Sequence, residues 1–237
     1  MSEWLAAQVL HGSAVAWVAL TALIYLLAQQ LYVRGGSRPV LIPVLTGVLM
    51  VVGVLTCCGV PYDEYYRGVA FLNTLIGPVT VALAVPLYAQ WSRLRKLWLP
   101  ITLAVLVGGS VGILSAVGIG WLFSGSMEIL MSVAPKSATI PIATAVSAEF
   151  GGVASLAAVA VAITGIVGVI VADPVLRVLR IDDAATRGVA MGLTAHAIGT
   201  AREIQRSAES AGFAALAMAL NGIATALLMP VLVSLMR

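Results

Sequence analysis

Charged residues divide this chain into long apolar stretches. Six stretches carry no charged side chain, and each is long enough to cross a ~30 Å hydrocarbon layer, which needs about 20 helical residues. They are residues 4–33, 39–62, 68–92, 97–127, 150–172 and 210–236. None alternates apolar and polar residues over about ten positions, as a transmembrane β-strand does. The pattern predicts an all-α integral membrane protein with about six transmembrane helices in one domain, residues 1–237.

The composition agrees with a membrane protein and argues against some classes of binding partner. Of the 237 residues, 61% are hydrophobic and 10% are charged, whereas soluble domains carry roughly 25% charged residues. The formal net charge of +3 comes from basic residues near helix ends. Because no basic stripe with interleaved aromatics exists, we expect no nucleic-acid partner. The adjacent Cys57 and Cys58 lack metal-ligand spacing, so neither a metal nor another cofactor is expected.

The basic residues predict which loops face the cytoplasm. Lys and Arg in short loops favour the cytoplasmic side, and they occur at Arg34 and Arg38 and again within residues 93–96. The N-terminus and residues 61–67 are then expected outside. The stretch 97–127 accordingly runs outward.

Residues 126–148 do not fit a simple crossing. If this segment spanned the membrane, Arg177, Arg180 and Arg187 would lie outside, against the rule that orients the earlier loops. A re-entrant hairpin that enters and leaves through the outer face returns these arginines to the cytoplasm. Irregular backbone at membrane depth is tolerated only inside protein or beside a water-filled cavity. We therefore expect the tip of the hairpin to line a cavity.

Two prolines mark this tip. Pro135 and Pro141 are helix-breaking residues, since each removes a backbone donor and disfavours helix in the residue before it. Lys136, Ser137 and Thr139 lie between them. An ammonium group in lipid costs at least ~2.5 kcal/mol, whereas beside water at an opened helix end it can hold an anion. The alternative is a lysine that reaches the membrane interface from a short surface helix.

A second broken element is predicted between Arg187 and Arg202. This uncharged run is too short to span the membrane and contains small and hydroxyl residues, among them Gly199 and Thr200. It holds His196 and is expected to enter from the cytoplasmic side. Two broken elements that enter from opposite faces meet near the midplane, where transporters commonly place their substrate. The alternative for His196 is a packing role.

Two further polar residues are candidates for the site. Glu149 is the sole carboxylate between Glu128 and Asp173. It is either a proton-coupling residue, together with His196, or an exposed loop residue or helix cap. Asn221, in the last apolar stretch, either binds substrate or hydrogen-bonds across the bundle.

A stretch in the first half of the chain is similar to the hairpin tip. Residues 73–86 again combine two prolines with hydroxyl and small residues. The likeness suggests a weak internal repeat of about 61–96 with 124–152. It makes Pro78 and Thr80 further candidates for substrate binding.

Four short motifs in the second half of the chain occur together in one family of membrane proteins. They are residues 135–143 (PKSATIPIA), Glu149 with Gly151 and Gly152, residues 196–202 (HAIGTAR) and residues 220–223 (LNGI). In combination they resemble the LrgB/CidB family. The likeness covers nearly the whole chain and is densest over 130–225. The family often has glycine where Ala197 stands here, which leaves this turn less conformational freedom.

The resemblance implies two different functions. Bacterial members were named as antiholin-like proteins that modulate murein hydrolase export and autolysis beside a small LrgA/CidA-type holin-like membrane protein. Plant relatives export glycolate and glycerate from chloroplasts. The resemblance also implies a multi-pass protein of the bacterial inner membrane, a small LrgA/CidA-type partner and a homo-oligomer.

The residue types favour the carrier. A pore former gains nothing evident from proline-broken elements that place Lys136 and His196 in the membrane. A carrier of small carboxylates such as glycolate needs a fixed cation, hydroxyl donors and opened helix ends. We therefore expect a transporter-like fold with alternating access, in which Lys136 binds the carboxylate and the hydroxyls of Ser137, Thr139 and Thr200 assist.

An enzyme is not expected. The chain has no metal-binding, nucleophile-elbow or nucleotide-binding motif. A membrane-embedded hydrolase is the remaining enzymatic alternative.

The predicted topology has six spanning helices, two broken elements and both termini outside. It rests on the arginines of 34–38, 93–96 and 177–187. A reporter fused after Arg180 is therefore expected to be active only as a cytoplasmic fusion. A periplasmic signal at this position would contradict the re-entrant assignment of 126–148.

Overall fold

The computed structural model describes residues 14–36, 38–82 and 84–236, and within these ranges the regular structure is helical. The chain divides into two compact units, Met1–Ala82 and Leu83–Arg237. Four helices in the described part are long and apolar enough to cross a membrane. The all-α membrane class is thus confirmed, while the count of six spans stays a prediction.

The first unit contains one membrane-length helix and several shorter ones. They are α1 (Ala14–Arg34), a 3-10 turn (Pro39–Leu41), α2 (Pro43–Cys58), α3 (Tyr62–Gly68), α4 (Ala70–Thr74) and α5 (Ile76–Ala82). α1 packs on α3 through Trp17, whose ring meets that of Tyr65 edge-to-face at 5.6 Å. Thr21 Oγ1 lies 3.0 Å from the Tyr65 hydroxyl. This aromatic contact anchors the unit's small apolar core.

The continuous span expected over 68–92 is not present in the described residues. The run is divided among α3 to α5 and two helices of the second unit, α6 (Ala84–Ala89) and the start of α7 (Trp91–Leu122). Gly77, Pro78 and Pro86 lie in this run and are the residue types least suited to a helix interior. Apolar character alone predicted a span here, but backbone propensity interrupts it.

The second unit is built on three long helices. Besides α6 and α7 it contains α8 (Met127–Val133), α9 (Ile140–Glu149), α10 (Ala154–Val178), α11 (Ala184–Ile204) and α12 (Ala208–Met236). α7, α10 and α12 have the length and hydropathy of membrane spans. α8 with α9, and α11, are the interrupted elements between them.

The hairpin predicted over 126–148 is present as α8 and α9. α8 ends at Val133, and α9 begins after Thr139 with Pro141 in its first turn. The tip reaches the middle of α7, because a Cβ atom placed on Gly112 would lie 3.3 Å from Ser137 Oγ. Gly112 is about 15 Å along the helix from its end at Leu122, half the thickness of a hydrocarbon layer. The Val153 N–H, just before α10, donates to Ser132 Oγ near the end of α8 at 2.7 Å, which joins the hairpin to the start of α10.

The second broken element, α11, is a helical hairpin that turns at His196. The backbone of His196 is non-helical, with φ 39° and ψ −126°. Arg187 and Glu203 would be about 24 Å apart in a straight helix, yet Arg187 Nε lies 3.3 Å from Glu203 Oε1. The chain therefore folds back on itself, and the two arms of α11 run side by side.

The two hairpins enter the second unit from opposite ends. Arg93 near the start of α7 hydrogen-bonds with Asp183 before α11 and with Glu209 at the start of α12. These helix starts share one end of the unit, here called the arginine-rich face, which carries Arg93, Arg177, Arg187 and Arg206. α8 follows the opposite end of α7. The prediction that 93–96 and 177–187 share a face is confirmed.

α11 and α12 approach closely through glycine. A Cβ atom on Gly188 would lie 3.0 Å from Phe213 Cβ, and one on Gly192 would fall inside van der Waals contact of the Ala214 carbonyl oxygen. Small residues at such positions let transmembrane helices pack backbone against backbone.

We expect Gly192→Ala to lower the melting temperature of the protein in detergent by several degrees. The added methyl must separate two helices, and overpacking of this kind costs roughly 1–3 kcal/mol. The matched control is Gly118→Ala in α7, where an added Cβ meets nothing within 4 Å. Equal melting temperatures for the two variants would contradict close packing of α11 on α12.

Candidate functional site

The tips of the two hairpins meet at Asn221 of α12. The Asn221 Nδ2 donates to the Ser137 carbonyl at 2.8 Å and lies 3.4 Å from the Leu193 carbonyl. Ser137 belongs to the first tip, and Leu193 lies three residues before the turn of α11. The Asn221 side chain is fully buried, and its position is near the middle of α12. One amide group therefore ties both broken elements together at mid-depth.

His196 is fixed by hydrogen bonds on both sides. Its Nε2 lies 2.9 Å from the Val161 carbonyl of α10, and its own carbonyl accepts from Thr200 Oγ1 at 2.9 Å. Gly165 leaves room for the ring, since a Cβ atom there would lie 2.6 Å from the imidazole. The side chain is 2% exposed. A non-glycine residue with positive φ is strained, and such strain is concentrated at functional sites.

Lys136 brings a positive charge to this meeting point. Its Nζ lies 3.4 Å from Ser137 Oγ. No carboxylate pairs with it within 4 Å among the residues that the structure describes. A partly buried cation without a counter-ion attracts an anion. The chemistry favoured here is therefore the binding of a small anionic group.

The other predicted residues of the hairpins occupy different positions. Thr139 is the half-buried residue that precedes α9. Gly199 lies in the second arm of α11, where it packs against the Met191 carbonyl of the first arm. Pro135 is fully buried at the first tip, while Pro141 is exposed.

Glu149 lies apart from these contacts, and the first-half candidates belong to the other unit. Glu149 is exposed at the last position of α9, at the end of the helix far from Ser137. Pro78 is exposed in α5 of the first unit, and the side chain of Thr80 lies outside the described residues. Their assignment to the site, and the internal repeat, stay predictions.

Sequence reasoning missed a buried group of charges below the second hairpin. Arg187 and Glu203 are buried and lie beside Asp173 and Ser210. The sequence did contain a signal for this group. Acidic and basic residues occur together on both sides of the uncharged run between Arg187 and Arg202, which is too short to span the membrane. No group of three or more potential metal ligands occurs among the described residues.

Outside the membrane-spanning segments, Asp183 begins α11 as a helix cap. Its carboxylate accepts hydrogen bonds from the Thr186 N–H and hydroxyl, both at 2.8 Å. These bonds, the backbone one first, lower the pKa of the Asp183 carboxyl. The cap therefore stabilises the fold above the ordinary pKa of aspartate, and this contribution is lost as pH falls through the lowered pKa.

Comparison with known proteins gives a consistent result. The LrgB-like family model matches residues 21–235. Over 210 residues, covering 89% of this chain and 91% of the relative, the chain is 37% identical to the uncharacterized protein YxaC of Bacillus subtilis. It is 28% identical over 222 residues to the holin-like protein CidB of Staphylococcus epidermidis, covering 94% and 96% of the two chains. No solved structure matches the chain.

We expect Asn221→Leu, which keeps the volume of the side chain, to destabilise the protein by about 1–3 kcal/mol. The substitution leaves two buried carbonyl groups without their donor. Thermal unfolding in detergent measures the effect. The control is Ser234→Ala on the same helix, since the exposed Ser234 hydroxyl bonds only to its own helix. Unchanged stability of Asn221→Leu would contradict the tethering role.

Proposed function

The chain belongs to the LrgB-like family, and we propose that it is a carrier of small carboxylates, such as the 2-hydroxy acid glycolate. The observation that carries this proposal is Lys136, a cation without a carboxylate partner among the described residues, at the point where two broken helices meet. Ion and substrate sites of transporters are commonly built in this way.

In the proposed complex the substrate carboxylate pairs with Lys136. The Ser137 hydroxyl is within reach of the same ammonium group and can donate to a substrate oxygen. The Thr200 hydroxyl already donates to the His196 carbonyl, so it serves the substrate as an acceptor. A 2-hydroxy acid supplies both the anion and the donor that this set of groups can satisfy.

Two of the predicted roles concern protons. A histidine side chain in water changes its charge near neutral pH, and His196 Nε2 lies 2.9 Å from the Val161 carbonyl. A proton gained or lost at this ring changes the charge beside Lys136 and with it the affinity for an anion. We assign proton coupling to His196 first, and to Glu149 only as an exposed residue at the opposite end from the arginine-rich face.

Alternating access follows if the two hairpins move against α7, α10 and α12. Both tips contact Asn221, so a shift of either tip is felt by the other. Each face of the membrane would then gain access to the site in turn. This geometry is consistent with a transporter-like fold of the bacterial inner membrane.

A second candidate function comes from the names of relatives. CidB of Staphylococcus epidermidis is called holin-like, which favours a regulator of murein hydrolase export that acts with a small LrgA/CidA-type partner. A homo-oligomer of such a pair belongs to this proposal. Uptake by the chain alone, compared with uptake after co-reconstitution with the partner, decides whether the partner is obligatory.

We expect Lys136→Met to abolish glycolate uptake into proteoliposomes. Lys136→Arg keeps the charge but misplaces it, so uptake should fall by about tenfold, which corresponds to about 1.4 kcal/mol. His196→Gln should reduce uptake or change its pH dependence. Lys96→Met is the matched control, because Lys96 is the other lysine of the chain and is exposed at the arginine-rich face.

The same vesicles separate the two candidate functions. A carrier accumulates glycolate without releasing an entrapped dye, whereas a holin-like pore releases the dye without substrate. If Lys136→Met takes up glycolate as fast as the wild-type protein, the lysine is only an interfacial anchor. Dye release with no uptake by the wild-type chain would favour the regulator or pore component.

A further inference from the structure

The base of the second hairpin is held by ion pairs between its two arms. Arg187 on the first arm hydrogen-bonds with Asp173 of α10. On its other side, Arg187 Nε lies 3.3 Å from Glu203 Oε1 on the second arm. Arg187 and Glu203 are the charged side chains that are buried among the described residues. The pair closes α11 at the arginine-rich face.

The two carboxylates also collect contacts from every helix around this base. Arg202 Nη2 donates to Asp173 Oδ2 at 3.2 Å. Ser210 of α12 donates to Glu203 Oε2 at 2.6 Å. The ion pairs therefore join α10, both arms of α11 and α12 at one point. This group, Asp173, Arg187, Glu203 and Ser210, is called the charged latch below.

The charged latch lies at the arginine-rich face, at the end of α11 that is far from its turn at His196. Arg187 precedes the turn at His196 by nine positions, or about 13 Å of helix. Any movement that spreads the two arms of α11 must separate Arg187 from Glu203. The same movement opens the hairpin whose tip carries His196 and contacts Asn221.

Charges suit a seal that opens to water better than one that stays closed. Burying an ion pair costs desolvation, and its Coulomb attraction offsets this cost only with good geometry. Here the contact of Arg187 Nε with Glu203 Oε1 lacks hydrogen-bond alignment, so both atoms are left without a hydrogen-bond partner. When the arms spread, water hydrates both groups and compensates for the broken pair. The same movement of an apolar seal would expose apolar surface to water and so raise the free energy.

The first hairpin is closed in a different way. The hydrogen bond from the Val153 N–H to Ser132 Oγ joins the end of α8 to the residue before α10. Around it lies an apolar cluster that includes Leu130, Met131 and Met229. Water entering there would hydrate apolar surface, so this end gains no such compensation. The two ends of the site are therefore not equivalent.

We propose that the charged latch is the gate between the arginine-rich face and the Lys136 site, and that breaking the Arg187–Glu203 pair opens it. The gate rests on the proposed carrier function, since it controls access to the same site. Glu203 acts as a positioning residue that holds the two arms of α11 together. It does not touch the substrate.

The test measures access to the site without any substrate. Ser137→Cys places a reporter thiol at the first tip in a background of Cys57→Ser and Cys58→Ser. A membrane-impermeant thiol reagent is added to sealed vesicles of each orientation. With the charged latch intact, labelling from the arginine-rich face is expected to be slow. Glu203→Gln keeps the acceptor for Ser210 but removes the charge, and should accelerate this labelling at least tenfold.

Two controls separate a gate from a structural staple. Glu209→Gln breaks an ion pair with Arg93 at the same face. This pair does not connect the two arms of α11, so the labelling rate should not change. Arg187→Gln breaks the same pair from the first arm of α11; it is the second latch variant and should accelerate labelling even where Glu203→Gln folds poorly. Labelling from the opposite face should not increase in either variant.

The proposal is overturned if both latch variants label at the parent rate, even when their melting temperatures fall. It is also overturned if the parent protein already labels rapidly from the arginine-rich face. Because the readout needs no carboxylate, it remains interpretable if glycolate uptake fails. If the latch variants accelerate labelling but the protein takes up no glycolate, the gate is supported and glycolate is rejected as the substrate.

Discussion

The hydrogen bonds of Asn221 connect the two interrupted elements of the second unit. Within a bilayer no water is available to the backbone groups that a broken helix leaves free, so protein must supply their partners. Asn221 does this for the Ser137 carbonyl at 2.8 Å and approaches the Leu193 carbonyl of the second hairpin. One backbone carbonyl at each interruption therefore shares the same side-chain amide. The price is rigidity, because neither tip can move without disturbing the same amide.

Charge is distributed unequally along the path that this arrangement creates. Lys136 lies at the meeting point with no carboxylate partner among the described residues, while the arginine-rich face carries Asp173 and Glu203 paired with arginines. The proposed anion site therefore lies at the centre of the unit rather than at the paired charges at its end. The hydroxyl of Ser137 lies 3.4 Å from the Lys136 ammonium group and belongs to the same proposed site.

Much of this architecture could be read from local chemistry. Pro135 and Pro141 predict an interruption because the effect of proline on the backbone does not depend on tertiary context. The arginines of 177–187 predict the hairpin because a wrong topology would place their charges on the wrong side. The short helices over 68–92 were missed because hydropathy alone favoured a span. The prolines of that run indicated a likeness to the hairpin tip, but the helix breaks that they also indicate were not predicted.

Contacts between residues that are distant in sequence could not be predicted from these local patterns. Arg187 and Glu203 are sixteen positions apart and meet only because α11 turns back, which no spacing rule for a straight helix predicts. The turn lies at His196 itself, whose φ of 39° is positive. A histidine in the sequence does not by itself predict such a backbone conformation. Asn221 was a candidate for either glue or site, and only the packing of three segments showed which atoms its amide contacts. Local sequence thus predicted where the helices break, but not which groups hold the breaks.

The turn at His196 links these observations to movement. Its strained backbone is held by the Val161 carbonyl on one side and by Thr200 on the other. Strain that is held by a few identifiable contacts is released when those contacts change. In the proposed carrier, a proton or an anion beside His196 acts on one of these contacts, and the arms of α11 connect it to the ion pairs at their base. The proposal thus assigns to one helix break both the binding of the ligand and the response of the hairpin.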